Sequence, residues 1–272
     1  MNAPELYHHG MSVCASKVRM ALAEKGVTWT GRYIDIRRGE SHTPEYLKIN
    51  PKGVVPTMVH NGNIIRESTV ICEYVNDAFE GPALIPDEPY QRAMMRLWTR
   101  RLDDGLHYPC TAALTFLIAQ RAGLANSVSR FSHGLEMITA DVETIADAKL
   151  AELVEKTGIS IGMVCAALSA YDKLIADMNL ALQDRRWLCG DGLSLADLSY
   201  APYITRLENL NMDWLWKDRP CFGEWYQRIQ SRPTYQNEII DWLDENELPI
   251  ITENGKVLRE VIQQLYVEYN YH

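Results

Sequence analysis

The sequence predicts a chain in two parts: an α/β unit over residues 1–80, a linker at 81–89, and an all-helical remainder over residues 90–272. Three observations carry this. Residues 4–80 alternate short apolar runs with helical spacing, the pattern of a small α/β layer. A breaker-rich stretch follows, Gly81-Pro82 through Pro86 and Pro89, which suits a linker. Beyond it helical periodicity dominates, and no internal repeat or low-complexity segment interrupts it.

In order, Glu5-Leu6-Tyr7-His8 reads as a strand. Ser16 to Lys25 is an amphipathic helix using Val18, Ala21 and Leu22, stopped by Gly26, and Thr28 to Asp35 is a second strand. Pro44 to Lys48 forms a short helical turn before Asn50-Pro51. MVHNGNIIRES reads as two strands around Asn61-Gly62, a strong hairpin signal. A helix then starts at Glu67-Ser68 with Val70, Ile71, Tyr74 and Val75 on one face. This βαβ unit followed by a hairpin and a helix fits a thioredoxin-like α/β domain. In the second part, Gln91 to Leu106 and Ile159 to Leu182 are long helices, and residues 122–155 are a charged stretch with helical segments such as Asp141 to Glu155. Leu193-Ser194 with Asp197 predicts a staple and capping box at a helix start. The tail from Thr234 carries an amphipathic helix, Val257 to Tyr269, ending in Tyr266, Tyr269 and Tyr271. Such a stripe packs against the body or a partner, or closes over a pocket.

Composition narrows the function. The chain of 272 residues has 47% hydrophobic and 23% charged residues, an ordinary globular balance. A net charge of −9, with no basic cluster longer than a pair of arginines, argues against nucleic-acid or anionic-membrane partners. MNAPELYHHGMSV lacks signal-peptide features, and no apolar run approaches the roughly 20 residues of a membrane span. The six cysteines (14, 72, 110, 165, 189 and 221) are scattered without metal-ligand spacing. These features predict a cytoplasmic protein with free thiols and no metal.

The chemistry concentrates at two places. Val55-Pro56 stands just before a strand; a cis bond there would turn the Val55 backbone outward to pair with an extended peptide. Ser68 at a helix start offers a hydroxyl and open N–H groups to an anion, and Glu67 beside it suits an ammonium. Together they describe a site for a small zwitterionic peptide. After the first strand, HHGMSVCASKVR places Ser12 and Cys14 where a helix start stabilises a thiolate. His8 and His9 read mainly as solvent-facing loop residues, with a substrate-side acid–base role open.

The stretch NPKGVVPTMVHNGNIIRESTVICEYV is similar to the glutathione site of the cytosolic glutathione transferases, and the resemblance covers residues 4–235. It implies glutathione as co-substrate, with Val55 and Pro56 holding its cysteinyl part and Glu67 and Ser68 its γ-glutamyl group. Lys52 with Ser41 or His42 would take the glycyl carboxylate. SVCASKVR resembles the S-x-C motif of the zeta class, which includes maleylacetoacetate isomerases, and the start of glutathione-dependent reductive dehalogenases. ESTVICEYV and QRAMMRLWTRRLDD look more like bacterial β-aryl-etherases. The resemblance therefore implies Ser12 or Cys14 as the catalytic group and a small, aromatic electrophile as substrate. Met11, Met95, Trp98, Leu102, His107 and Tyr108 would line the pocket of a helical substrate domain. It also implies a dimer, of identical or different chains, built on the face Arg92–Asp104, with Asp103 or Asp104 reaching a partner's glutathione. A non-enzymatic interaction module on the same fold is the reading of another class; the capping box would serve folding.

Overall fold

A computed structural model describes residues 2–121 and 161–270; the expected segment at 122–155 and Tyr271 lie outside them. Strand β1 (Glu5–His8) has the predicted bounds and leads into helix α1 (Val13–Glu24), followed by β2 (Thr30–Tyr33), α2 (Pro44–Ile49), β3 (Thr57–His60), β4 (Asn63–Ile65) and α3 (Ser68–Ala78). The sheet order is β2-β1-β3-β4, with β1 and β2 parallel and the other pairs antiparallel. Tyr7 faces Thr57 across β1 and β3. Helix α1 packs on α3, and Val18, Ala21, Leu22, Ile71 and Val75 of the two helices are all fully buried.

Local chemistry explains the boundaries. Helix α1 starts three residues before Ser16 because Ser12, not Ser16, is the cap: Ser12 Oγ accepts from Ala15 N at 3.2 Å. It ends where Gly26 turns left-handed (φ 68°) and Val27 N reaches back to the Leu22 carbonyl at 2.9 Å. Asn61 and Gly62 both have positive φ, 50° and 79°, the geometry that two-residue hairpins favour. In α3 the expected apolar face is corrected at one position: Val70 is exposed, while Ile71 and Val75 carry the packing. Helix α4 (Pro89–Arg101) gives way at Leu102 to a π-helix through Ala112, rather than continuing regularly to Leu106. Pro109 has no N–H for the preceding turn. Thr111 Oγ1 and Cys110 Sγ instead donate to carbonyls five residues back, Leu106 at 2.9 Å and Gly105 at 3.3 Å. Helix α5 (Ala113–Arg121) follows.

By compactness the described residues fall into two units. The first gathers residues 1–100, 181–203 and 224–244; the second gathers 101–180, 204–223 and 245–272. In the first, Asp197 near the start of the helix Leu195–Asn209 is fully buried. It accepts from Ser194 Oγ (2.7 Å), Ser194 N (3.0 Å), Leu188 N (3.0 Å) and Trp225 Nε1 (2.9 Å). In the second, the helix Ile161–Ala181 buries Leu168, Tyr171, Leu174, Ile175 and Met178, and Arg101 reaches Asp177 at 2.7 Å. The tail helix runs Glu247–Asn270, ten residues earlier than its apolar pattern begins, and packs on α5. Ile251, Leu258 and Ile262 are its buried side, and Tyr266 leans on Trp214 with ring centres 5.7 Å apart.

Candidate functional site

The sheet topology assembles the site. β1 and β4 run one way and β3 the other, so the carboxyl ends of β1 and β4 and the amino end of β3 share one edge. Ser12, Val55-Pro56 and Glu67-Ser68 therefore lie along that edge, although the sequence spreads them over 57 positions. The Val55-Pro56 bond is cis. Tyr46 Oη and Asn50 Nδ2 donate to the Val54 carbonyl at 2.7 and 2.9 Å and hold the approach to it. Val55 itself makes no hydrogen bond among the described residues and stands as an open rung beside β3.

At the second corner Glu67 has φ 64° and ψ 113°, a backbone state that costs a non-glycine residue about 1–3 kcal/mol. It turns the chain so that α3 starts at Ser68 with no side chain capping its first-turn N–H groups. Lys52 Nζ meets Glu67 Oε1 at 2.6 Å, and both side chains are exposed. Ser41, buried, bonds His42 Nδ1 at 3.0 Å, and His42 lies so close to Gly53 that a Cβ there would sit 2.9 Å from Nε2. The three expected carboxylate contacts, Ser41, His42 and Lys52, thus share one loop cluster.

At the third corner, Ser12 Oγ accepts from Ala15 N, and its own proton has no acceptor among the described residues. Cys14 is half-buried, and its Sγ lies 3.3 Å from Tyr203 Oη. Sequence spacing gives no hint of Tyr203, which is 189 positions away. Lys17, also missed, is fully buried on α1 and donates to Thr69 Oγ1 of α3 at 2.7 Å, joining the two helix starts. The expectation for His8 and His9 is corrected: both are buried, His8 among the rings of Trp29, Tyr33 and Trp242. Burial, with the Arg19 and His9 charges adding, lowers His8 to about 4. Its cage closes with Trp242, which is distant in the chain.

The expected pocket residues divide. Met11 is nearly buried and its sulfur accepts from Asp244 N at 3.2 Å. Met95 is fully buried, and half-buried Trp98 meets Tyr200 edge to face at 6.0 Å. Leu102, Asp104, His107 and Tyr108 belong to the second unit. There Leu102 is buried, Asp104 is exposed, and the His107 and Tyr108 rings meet at 4.6 Å on the π-helix. Among the described residues no group of three or more His, Cys, Asp or Glu is placed to hold a metal ion, and no helix is long and apolar enough to cross a membrane.

A cis-proline beside the starts of α1 and α3, on a sheet of order β2-β1-β3-β4, is the layout of a thioredoxin-like domain, and comparison with known proteins agrees. The glutathione S-transferase N-terminal domain matches residues 11–78, and the glutathione S-transferase C-terminal domain matches residues 143–228. The chain belongs to the glutathione transferase family. LigF of Sphingobium sp. strain SYK-6 is 29% identical over 235 residues, spanning 84% of this chain and 90% of LigF. The tetrachloro-p-hydroquinone reductive dehalogenase of Sphingobium chlorophenolicum is 25% identical over 241 residues, 85% of this chain and 93% of that one. The crystal structure of beta-etherase LigF superposes with a TM-score of 0.67 over 88% of this chain and all of LigF, at 25% identity.

Proposed function

We propose that this protein is a glutathione transferase in which Ser12 holds the thiolate of glutathione for attack on a small aromatic electrophile, by β-aryl ether cleavage or by conjugation. The carrying observation is the single sheet edge that gathers Ser12, the Val55-Pro56 cis bond and the Glu67-Ser68 corner. The residues fit the tripeptide. Val55 offers an unused N–H and C=O for its cysteinyl unit, and Ser68 with the α3 start suits the γ-glutamyl carboxylate. Glu67 suits the ammonium, and Lys52, exchanging its Glu67 partner, suits the glycyl carboxylate with Ser41 and His42 beside it.

Bound glutathione supplies the sulfur nucleophile. Ser12 donates its free proton to the thiolate, and the start of α1 adds positive partial charge, so the thiol ionises more readily. In ether cleavage a C–S bond forms as the C–O bond breaks, and a phenolate leaves. Met11, Met95, Trp98, Leu102, His107 and Tyr108 are proposed to shape the electrophile's surroundings. A thioredoxin-like domain at 1–80, a linker at 81–89 and a helical substrate domain at 90–272 form the proposed division of labour. The protein is further proposed to be a cytoplasmic dimer with Asp104 serving the partner's site. Calorimetry with reduced glutathione tests the core of this reading: saturable binding is expected, and folded protein that binds none at millimolar ligand refutes it.

A second reading is favoured by the contact between Cys14 Sγ and Tyr203 Oη. There Cys14 takes the glutathionyl group from an aromatic thioether as a mixed disulfide, which a second glutathione resolves; the ring carbon is reduced and the two glutathiones leave as a disulfide. A β-aryl ether, a halogenated hydroquinone and maleylacetoacetate, each offered with glutathione, separate transferase, dehalogenase and isomerase. An interaction module would show none of these activities and a stoichiometric foreign partner instead.

A further inference from the structure

Arg19 stands two turns beyond Ser12 on α1 and is fully buried. Its guanidinium lies 4.8 Å from the centre of the Trp242 ring. Nε and Nη2 donate to the Glu238 carbonyl at 3.2 and 3.0 Å. Nη2 also donates to the Gly10 carbonyl at 3.1 Å, and Nη1 to the His9 carbonyl at 3.4 Å. A further bond from Nη2 reaches Ser16 Oγ at 2.9 Å, and Ser16 Oγ in turn donates to the Ser12 carbonyl at 3.1 Å. One side chain thus gathers the carbonyls of the turn that enters Ser12, and through Ser16 the carbonyl of Ser12 itself.

The segment Pro233–Asp244 touches the same turn without Arg19. Asp244 N donates to Met11 Sδ at 3.2 Å, and a Cβ on Gly10 would sit 2.7 Å from the Trp242 carbonyl. A buried cation is costly, and an apolar residue would fill such a position at less expense. Here the neighbouring carboxylate, Glu238, stands 3.9 Å from Nε, and His8 Nδ1 stands 3.4 Å from Nη1. What the planar fork supplies, and an apolar side chain does not, is several carbonyls held at fixed angles.

We propose that Arg19 is the positioning residue for the Ser12 hydroxyl, and that the Glu238 carbonyl and the Trp242 ring anchor its guanidinium in place. This rests on the reading of Ser12 as the thiolate donor. The test uses the full chain and its Arg19→Lys and Ser16→Ala variants, with reduced glutathione and the accepted electrophile. Each protein is followed by calorimetry, by the ultraviolet thiolate band against pH, and by kcat and KM. Lysine keeps the charge and loses the fork, so Arg19→Lys should lower kcat by roughly tenfold to a hundredfold while the KM for glutathione changes far less. The thiolate midpoint should rise by about one pH unit in parallel. Ser16→Ala, which removes only the relay to Ser12, should shift both in the same direction by less, and it decides the matter where Arg19→Lys does not fold. Folded variants with the parent's kcat and thiolate midpoint would overturn the proposal, whatever their thermal stability. A parent protein that binds no glutathione would instead overturn the Ser12 reading, and this inference with it.

Discussion

Replacing Ser12 with alanine removes two interactions at once, and the structure lets them be separated. The hydroxyl oxygen caps α1 by accepting from Ala15 N at 3.2 Å; losing such a cap costs about 1 kcal/mol of stability. The hydroxyl proton is the proposed donor to the thiolate, and a hydrogen bond to a charged group is worth about 1.5–3 kcal/mol. At about 1.4 kcal/mol per decade, the second loss slows the reaction roughly tenfold to a hundredfold. Its signature is directional: the bound thiol becomes harder to ionise, so the rate falls most near neutral pH and recovers as pH rises. Ser12→Asp supplies the dissection, because a carboxylate caps the helix start well but offers no proton and repels a thiolate. Thermal unfolding should therefore rank the parent and Ser12→Asp together above Ser12→Ala. Turnover should rank the parent alone on top. If Ser12→Ala matched the parent in rate and thiolate midpoint, or if Ser12→Asp restored both stability and rate, Ser12 would be a cap and nothing more.

Three further outcomes follow from the same geometry. His8 is held neutral in its aromatic cage, lowered from 6.5 to about 4; the unfolded chain therefore binds the extra proton between those values. Stability present above pH 6.5 should be lost as pH falls toward 4, by up to about 3 kcal/mol, and urea titrations of His8→Phe should show a flatter acid limb. Asp197→Ala strands its four donor groups, from Leu188, Ser194 and Trp225. Denaturant unfolding should show a loss of about 3–5 kcal/mol, while glutathione affinity of the folded fraction stays at the parent's value. Cys14→Ala should leave conjugation or ether cleavage nearly intact, whereas a halogenated hydroquinone should stall as its glutathionyl adduct; mass spectrometry of the products distinguishes the two.

What could be read from the chain was whatever is encoded locally. The bounds of β1, the Asn61-Gly62 hairpin and the Ser194–Asp197 cap each depend on residues within a few positions of one another. The thiol end was less legible. Apolar spacing begins the helix at Ser16, and only the backbone shows that it starts after Ser12 and that Ser16 turns its hydroxyl back to the Ser12 carbonyl. The π-helix after Arg101 had one local cue, Pro109, and apolar spacing does not distinguish a wide turn from a regular one. The burial of His8 and His9 is not encoded locally, because part of their surroundings comes from long-range contacts. Trp242 and the Glu238 carbonyl arrive from more than two hundred positions away, and no period in the sequence links them to Arg19.

The interleaved make-up of the first unit has a consequence for the order of synthesis. Residues 1–80 leave the ribosome before residues 181–244, yet Glu24 bonds Arg232 and Thr234, Cys14 meets Tyr203, and Arg19 bonds the Glu238 carbonyl. Until residue 244 emerges, Arg19 lacks the Trp242 ring beside its guanidinium and His8 has only the Trp29 and Tyr33 sides of its cage. A nascent chain therefore completes this unit only after residue 244, and a fragment that stops at residue 80 lacks every one of these partners.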